Sequence, residues 1–76
     1  MIPRYHLNVF WSAEDERWIA DVPDLKYCSA HGATPEEAVM EAGIAIEAVV
    51  ESLIAHGDPV PEAKYSPAIY ALRQAA

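Results

Sequence analysis

The stretch from residue 33 to residue 57, opening Ala-Thr-Pro-Glu-Glu-Ala and closing Ala-His-Gly, most constrains the fold. It carries the start signal, body and stop signal of one long amphipathic helix. Thr34 suits the N-cap, Pro35 the first helical position, and Glu37, three residues after Thr34, completes a capping box in which each side chain satisfies a free backbone donor. Gly57, followed by Asp58-Pro59, is the matching stop. At about 100° per residue, Ala38, Val39, Ala42, Ala45, Ile46, Val49, Val50 and Leu53 share one broad face that must be buried. The opposite side holds Glu36, Glu37, Glu41, Glu47 and Glu51, with Met40, Ile44 and Ile54 among them. Those three are either scattered exposed apolar residues or part of a seam that faces a partner, since Met40 and Ile44 lie one turn apart.

A chain of 76 residues has room for one domain, 1–76, and one core. At this length folding removes only about 60% of the surface the unfolded chain exposes, so assembly into a homo-oligomer, dimer or tetramer, is expected. A hydrophobic fraction of 53% against 22% charged argues for a folded chain. Twelve acidic residues against five basic ones leave a net charge of −7, which repels a phosphate backbone and attracts a basic protein. Direct nucleic-acid binding is therefore disfavoured. Cys28 stands alone, which excludes an intrachain disulfide. With neither a leader pattern nor an apolar run of spanning length, a cytoplasmic location away from the membrane is expected.

Residues 4–11 alternate with period two, Tyr5, Leu7, Val9 and Trp11 facing one way and His6, Asn8 and Phe10 the other, as in a strand. Residues 12–16 form a polar turn. Residues 17–22 alternate again, Trp18, Ala20 and Val22 against Arg17, Ile19 and Asp21, giving a hairpin with a longer loop. Pro23 stops the pairing, and a third strand fits from Lys26 to Ala30 or His31, with Cys28 and Ala30 under the helix and Tyr27, Ser29 and His31 on the open face. The expected class is α+β: a three-stranded antiparallel sheet with one long helix on one face, in the order β-β-β-α. The outer face would carry His6, Phe10, Ile19, Asp21 and Tyr27, and so be half covered by the C-terminal tail or by a second protein. The tail, 63–76, begins behind an extended Pro59-Val60-Pro61 crossing. It offers a short helix over 67–74, or a short fourth strand at 63–65 or running on to Tyr70.

Catalytic signals are sparse. His6, His31 and His56 lack the tight spacing of a metal site, and His56 near a helix end is explained by the last carbonyls and the dipole. Cys28 falls on the inner face, where a lone cysteine is usually packing. Asp21 and Asp24 flank Val22-Pro23 and form a carboxylate pair, though Asp24 also suits a turn. No phosphate loop, Ser-His-Asp set or Cys-x-x-Cys occurs, so neither an enzyme nor a cofactor is expected.

The segment Ile19-Ala20-Asp21-Val22-Pro23-Asp24-Leu25, then Cys28, Gly32, Thr34 and Glu36-Glu37-Ala38, with Gly57 and Pro59-Val60-Pro61 behind the helix, resembles the HicB antitoxin family over about residues 4–62. That family's motifs occur here in its own order, except that Lys26-Tyr27 stands where the family usually has Pro-Gly. That departure suggests an ordinary strand entry in place of a tight turn. The resemblance implies a partial, degraded RNase H-like fold and a protein that occludes a small basic RNA-cleaving toxin of the HicA kind. Many HicB proteins continue into a DNA-binding domain, and autoregulation through DNA is not expected of this chain.

The expected function is therefore a non-catalytic protein-binding module. Its contact residues are Met40, Ile44, Phe10, Ile19 and Tyr27, rimmed by Glu37, Glu41, Glu47 and Glu51. The alternative is a self-associating structural or regulatory domain with no toxin. A remnant nuclease using Asp21 and Asp24 is the third reading.

Overall fold

A computed structural model describes residues 2–67 of the chain. Three antiparallel strands, β1 (Asn8–Ser12), β2 (Arg17–Asp21) and β3 (Ser29–Gly32), lie in sheet order β1-β2-β3, followed by one helix, α1 (Pro35–Ala55). This is the α+β arrangement the sequence implies, with β2 between β1 and β3 among the described residues.

The helix begins and ends where its local chemistry dictates. Thr34 sits in extended backbone (φ −131°, ψ 159°), and its Oγ1 accepts from the Glu37 N–H at 3.1 Å, the half of the capping box that forms. At the other end Gly57 takes φ +73°, which glycine reaches without a Cβ penalty, so the Gly57 N–H reaches the Ile54 carbonyl and the Asp58 N–H the Leu53 carbonyl. The His56 ring Nδ1–H donates to the Ser52 carbonyl at 2.7 Å, a second bond to an oxygen that also accepts from the His56 backbone N–H.

Register follows from the alternation in β2. Val9 pairs with Ala20 and Ala20 with Ala30, so these three share the helix side of the sheet, while Phe10, Ile19 and His31 form a row on the other side. The interior has two parts. Near the start of α1 it is built from Ala20, Ala38 and Ala42, all fully buried. Farther along, Val22, Leu25 and Cys28 pack against Ile46 and Val50, with Tyr5, Leu7, Ala45, Val49 and Val60 around them. Val39, expected inside, is 41% exposed. It shares the angular range of buried Ile46 and Val50, so its exposure comes from its place along the axis, in the first turns of α1, and not from its side of the helix.

Gly32 explains how closely the two layers meet. A Cβ built there would lie 2.6 Å from the Ala38 nitrogen, 2.8 Å from the Glu37 Cβ and 2.9 Å from the Glu37 carbonyl carbon. Only a residue without a side chain lets the end of β3 run directly beneath the first turn of α1.

Several boundaries differ from the sequence expectation. The first strand starts at Asn8, not at residue 4, although Tyr5 and Leu7 still pack on the core. The third strand starts at Ser29, not at Lys26. Residues 23–27 turn tightly, the Leu25 N–H bonding the Val22 carbonyl, Cys28 N–H the Leu25 carbonyl, and Val22 N–H the Cys28 carbonyl. Tyr27 enters the left-handed region at φ +60° to close that turn, so Lys26-Tyr27 forms a tight turn and not the expected ordinary strand entry. Residues 63–67 form neither strand nor helix. The expected helix over 67–74 lies, but for residue 67, outside the described residues, as does the part beyond residue 67 of a strand from 63 to 70.

Candidate functional site

The side chains singled out from the sequence fall on three surfaces. Met40 and Ile44 are 61% and 57% exposed on the outer side of α1, with Glu37, Glu41, Glu47 and Glu51 exposed around them. Phe10 and Ile19 are cross-strand partners on the sheet face turned away from the helix; Phe10 is 48% exposed and Ile19 half-buried. Tyr27 stands apart on the 23–27 turn at 94% exposure, 5.4 Å from its ring centroid to the Lys26 ammonium nitrogen. The helix seam and the Phe10 row lie on opposite sides of a two-layer domain.

The helix seam is the most strongly charged of the three. All five charged residues of α1 are glutamates, Glu36, Glu37, Glu41, Glu47 and Glu51, and all five are exposed. Glu36 and Glu37 lie in the first turn, where negative charge complements the helix dipole. The remaining three lie outside the first turn, beside Met40 and Ile44, so the surface combines apolar contact area with an unbalanced negative rim.

The two aspartates sit in different settings. Asp24 Oδ2 accepts from the backbone N–H groups of Lys64 at 3.1 Å and Tyr65 at 3.0 Å, and its Oδ1 from the Tyr65 N–H at 3.2 Å, while Asp21 pairs within the sheet with Asn8 and Ser29. Asp24 thus fixes residues 64 and 65. The Tyr5 hydroxyl donates to the Pro61 carbonyl at 2.6 Å, and the His6 ring meets the Tyr65 ring at 4.6 Å, so the crossing segment is held from both sides. Burial and then the Asp24 charge push the Tyr5 hydroxyl above its ordinary value. Burial and then Asp21 do the same to the Cys28 thiol, which is packed in the core as expected.

Sequence reasoning missed the exposure of β1. Val9 and Trp11 point to the helix side, but α1 lies over β2 and β3, and they remain 38% and 50% exposed; Trp11 leans edge-on against Trp18 at 5.8 Å. Alternation told which side each residue faces, but nothing local said where the helix would lie. Among the described residues, no group of three or more His, Cys, Asp or Glu side chains is placed to hold a metal ion, and no helix is long and apolar enough to cross a membrane.

No family model and no solved structure matches the chain. Over 59 residues it is 42% identical to the UPF0150 protein ssr1765 of Synechocystis sp., a match that covers 76% of this chain and 75% of that protein. With that much identity over three quarters of both chains, this protein is a member of the UPF0150 family.

Proposed function

We propose that this chain is a non-catalytic binding module of the HicB kind, acting in the cytoplasm, which self-associates and masks a small basic RNA-cleaving protein. The observation that carries the reading is the outer side of α1, where Met40 and Ile44 stand exposed among glutamates on a helix with no basic residue. Two apolar anchors in an acidic rim suit a partner whose own working surface is cationic, because nuclease surfaces that grip phosphates must be positive. The acidic rim speeds and orients the encounter, and burying the anchors supplies affinity. No chemistry on the RNA is required of this chain, since covering the partner's substrate-binding surface is sufficient.

The test is to isolate the protein with whatever travels with it from its native cell, and to repeat the isolation with Met40→Glu combined with Ile44→Glu. A small basic protein should co-purify with the wild type, lose its ribonuclease activity in the complex, and be lost from the double variant. Capture of that protein unchanged by the double variant would remove the helix seam from the mechanism. If the wild type associates with nothing but itself, the self-associating domain without a toxin is the better account.

A further inference from the structure

Glu47 and Glu51 stand inside the apolar stripe of α1, not beside it. At about 100° per residue, Met40, Ile44, Glu47, Glu51 and Ile54 fall within about 80° of one another on the side away from the sheet. They follow at intervals of four, three, four and three residues, the spacing of a seam along which a second helix lies. All five are exposed, Ile54 at 59%, and the stripe is about 21 Å long. Gly43 borders it, one turn from both Met40 and Glu47. A Cβ there meets nothing within 4 Å, so no contact inside the domain requires a residue that weakens the middle of a helix. A missing side chain at that place lets another backbone come close. The described tail leaves the stripe free: Val60 packs on the core, and residues 61–65 are held by Tyr5, His6 and Asp24, none of them on α1.

We propose that this stripe docks a basic amphipathic helix of another protein, and that Glu47 and Glu51 determine its specificity by pairing with two lysines or arginines of that helix and by barring a second copy of α1. The proposal rests on the basic partner inferred above and adds which part of that partner docks and what keeps identical copies off the site.

Charge complementarity selects the occupant. Two copies of α1 laid seam to seam meet the glutamates in each register that aligns their apolar residues. Antiparallel pairing that sets Ile44 opposite the other copy's Ile54 also sets Glu47 opposite Glu51, twice over. A slide that sets Met40 opposite Ile44 brings Glu37 opposite Glu47. Between these, Met40 meets Glu51 and Ile44 meets Glu47, which strands four carboxylates against apolar side chains. Parallel pairing in register sets Glu47 on Glu47 and Glu51 on Glu51. Like charges held together, or carboxylates desolvated without a partner, oppose association. No lysine or arginine occurs on α1 to balance them from within the helix. A helix with apolar residues facing Met40, Ile44 and Ile54, and with cations facing Glu47 and Glu51, removes both penalties at once.

Three measurements on the full chain test this. Met40→Cys in the isolated protein should react with iodoacetamide as fast as a free thiol, with the native, buried Cys28 as a slow internal standard. A protected thiol at that position, as when the chain covers its own stripe, overturns the proposal. Fluorescence anisotropy then compares two synthetic helical peptides that place leucines opposite Met40, Ile44 and Ile54, and either lysines or glutamates opposite Glu47 and Glu51. The wild type should bind the lysine peptide at least about tenfold more tightly than the glutamate peptide, and Glu47→Lys combined with Glu51→Lys should reverse the order. Equal binding of both peptides, binding of neither, or an unreversed order overturns it. Lastly, Glu47→Leu combined with Glu51→Leu, at exposed positions where leucine suits a helix, should gain mass over the wild type in sedimentation equilibrium at the same concentration. An unchanged mass shows that the glutamates do not bar a second copy, and overturns that half of the proposal. In the capture experiment above, a basic protein lost from the Met40→Glu, Ile44→Glu variant but kept by the Glu47→Lys, Glu51→Lys variant leaves the proposed function standing and removes this inference. A wild type that captures no basic protein defeats the proposed function, while the stripe's preference for a basic helix still stands or falls with the peptides.

Discussion

Replacing Gly32 and Gly43 with alanine, one at a time, makes a stringent test of how α1 is seated. The chemical change is the same in both. At Gly32 the new methyl carbon meets the backbone nitrogen of Ala38 at 2.6 Å and the Glu37 Cβ and carbonyl carbon at 2.8 and 2.9 Å. None of these atoms belongs to a flexible side-chain end, so the helix or the strand must shift. Such overpacking costs about 2 kcal/mol, and the smaller conformational freedom of unfolded alanine returns about 0.7 kcal/mol. The net loss is roughly 1–1.5 kcal/mol. At Gly43, in the middle of α1 on its exposed side, nothing lies within 4 Å of the added carbon, so only helix propensity and the unfolded chain respond. Gly43→Ala should gain about 0.7 kcal/mol. The two variants should therefore differ by about 2 kcal/mol, roughly 8–16 °C in melting temperature for a domain of this size. Thermal melts followed by circular dichroism at one fixed protein concentration measure this directly, the fixed concentration removing any contribution from self-association. If Gly32→Ala melts at or above the wild-type temperature, the first turn of the helix does not rest on the end of β3.

Two further outcomes follow from the turn and from the tail. Tyr27 holds φ +60° at 94% exposure, a conformation that costs an L residue about 1 kcal/mol. Tyr27→Gly should gain about 0.5 kcal/mol in urea unfolding after the loss of the exposed Lys26 contact, whereas Tyr27→Ala, which keeps the strain, should gain nothing; equal effects of the two would show the turn to be unstrained. The Cys28 thiol and the Tyr5 hydroxyl are both raised from ordinary values of 9.0 and 10.0, so each keeps its proton in the folded state after the unfolded chain has lost it. Their contribution is complete below pH 9 and is lost as pH rises through 9 and then 10, so the urea midpoint should be level up to about pH 8.5 and fall above it. Tyr5→Phe should flatten the upper part of that fall, and a midpoint that rises with pH would contradict both assignments.

The helix was legible because its signals are local. Thr34, Pro35 and Glu37 set the start, Gly57 the stop, and a 3.6-residue period the buried face, so Met40 and Ile44 could be seen as exposed before any coordinates. The central strand was equally plain, since Trp18, Ala20 and Val22 alternate with Arg17, Ile19 and Asp21. The turn before β3 was not, because Lys26-Tyr27 lacks the glycine that usually marks such a conformation; it is imposed by backbone bonds among Val22, Leu25 and Cys28. Nor could the sequence reveal that Asp24 binds the amides of Lys64 and Tyr65, a contact spanning some forty residues. The openness of β1 was hidden for a related reason: period two assigns sides, while coverage depends on where the helix crosses the sheet.

The division of the interior into an alanine end and a larger aliphatic end sets how this domain can vary. Around Ala20, Ala38, Ala42 and Gly32 the layers touch backbone to backbone, so substitutions there can hardly enlarge a side chain without separating the sheet from the helix. Around Val22, Leu25, Ile46 and Val50 the gap is filled by interlocking branched side chains, and exchanges that conserve total volume are tolerable. Sequence drift should therefore be concentrated toward the second half of the helix, with the residues around the capping turn held nearly constant by geometry alone.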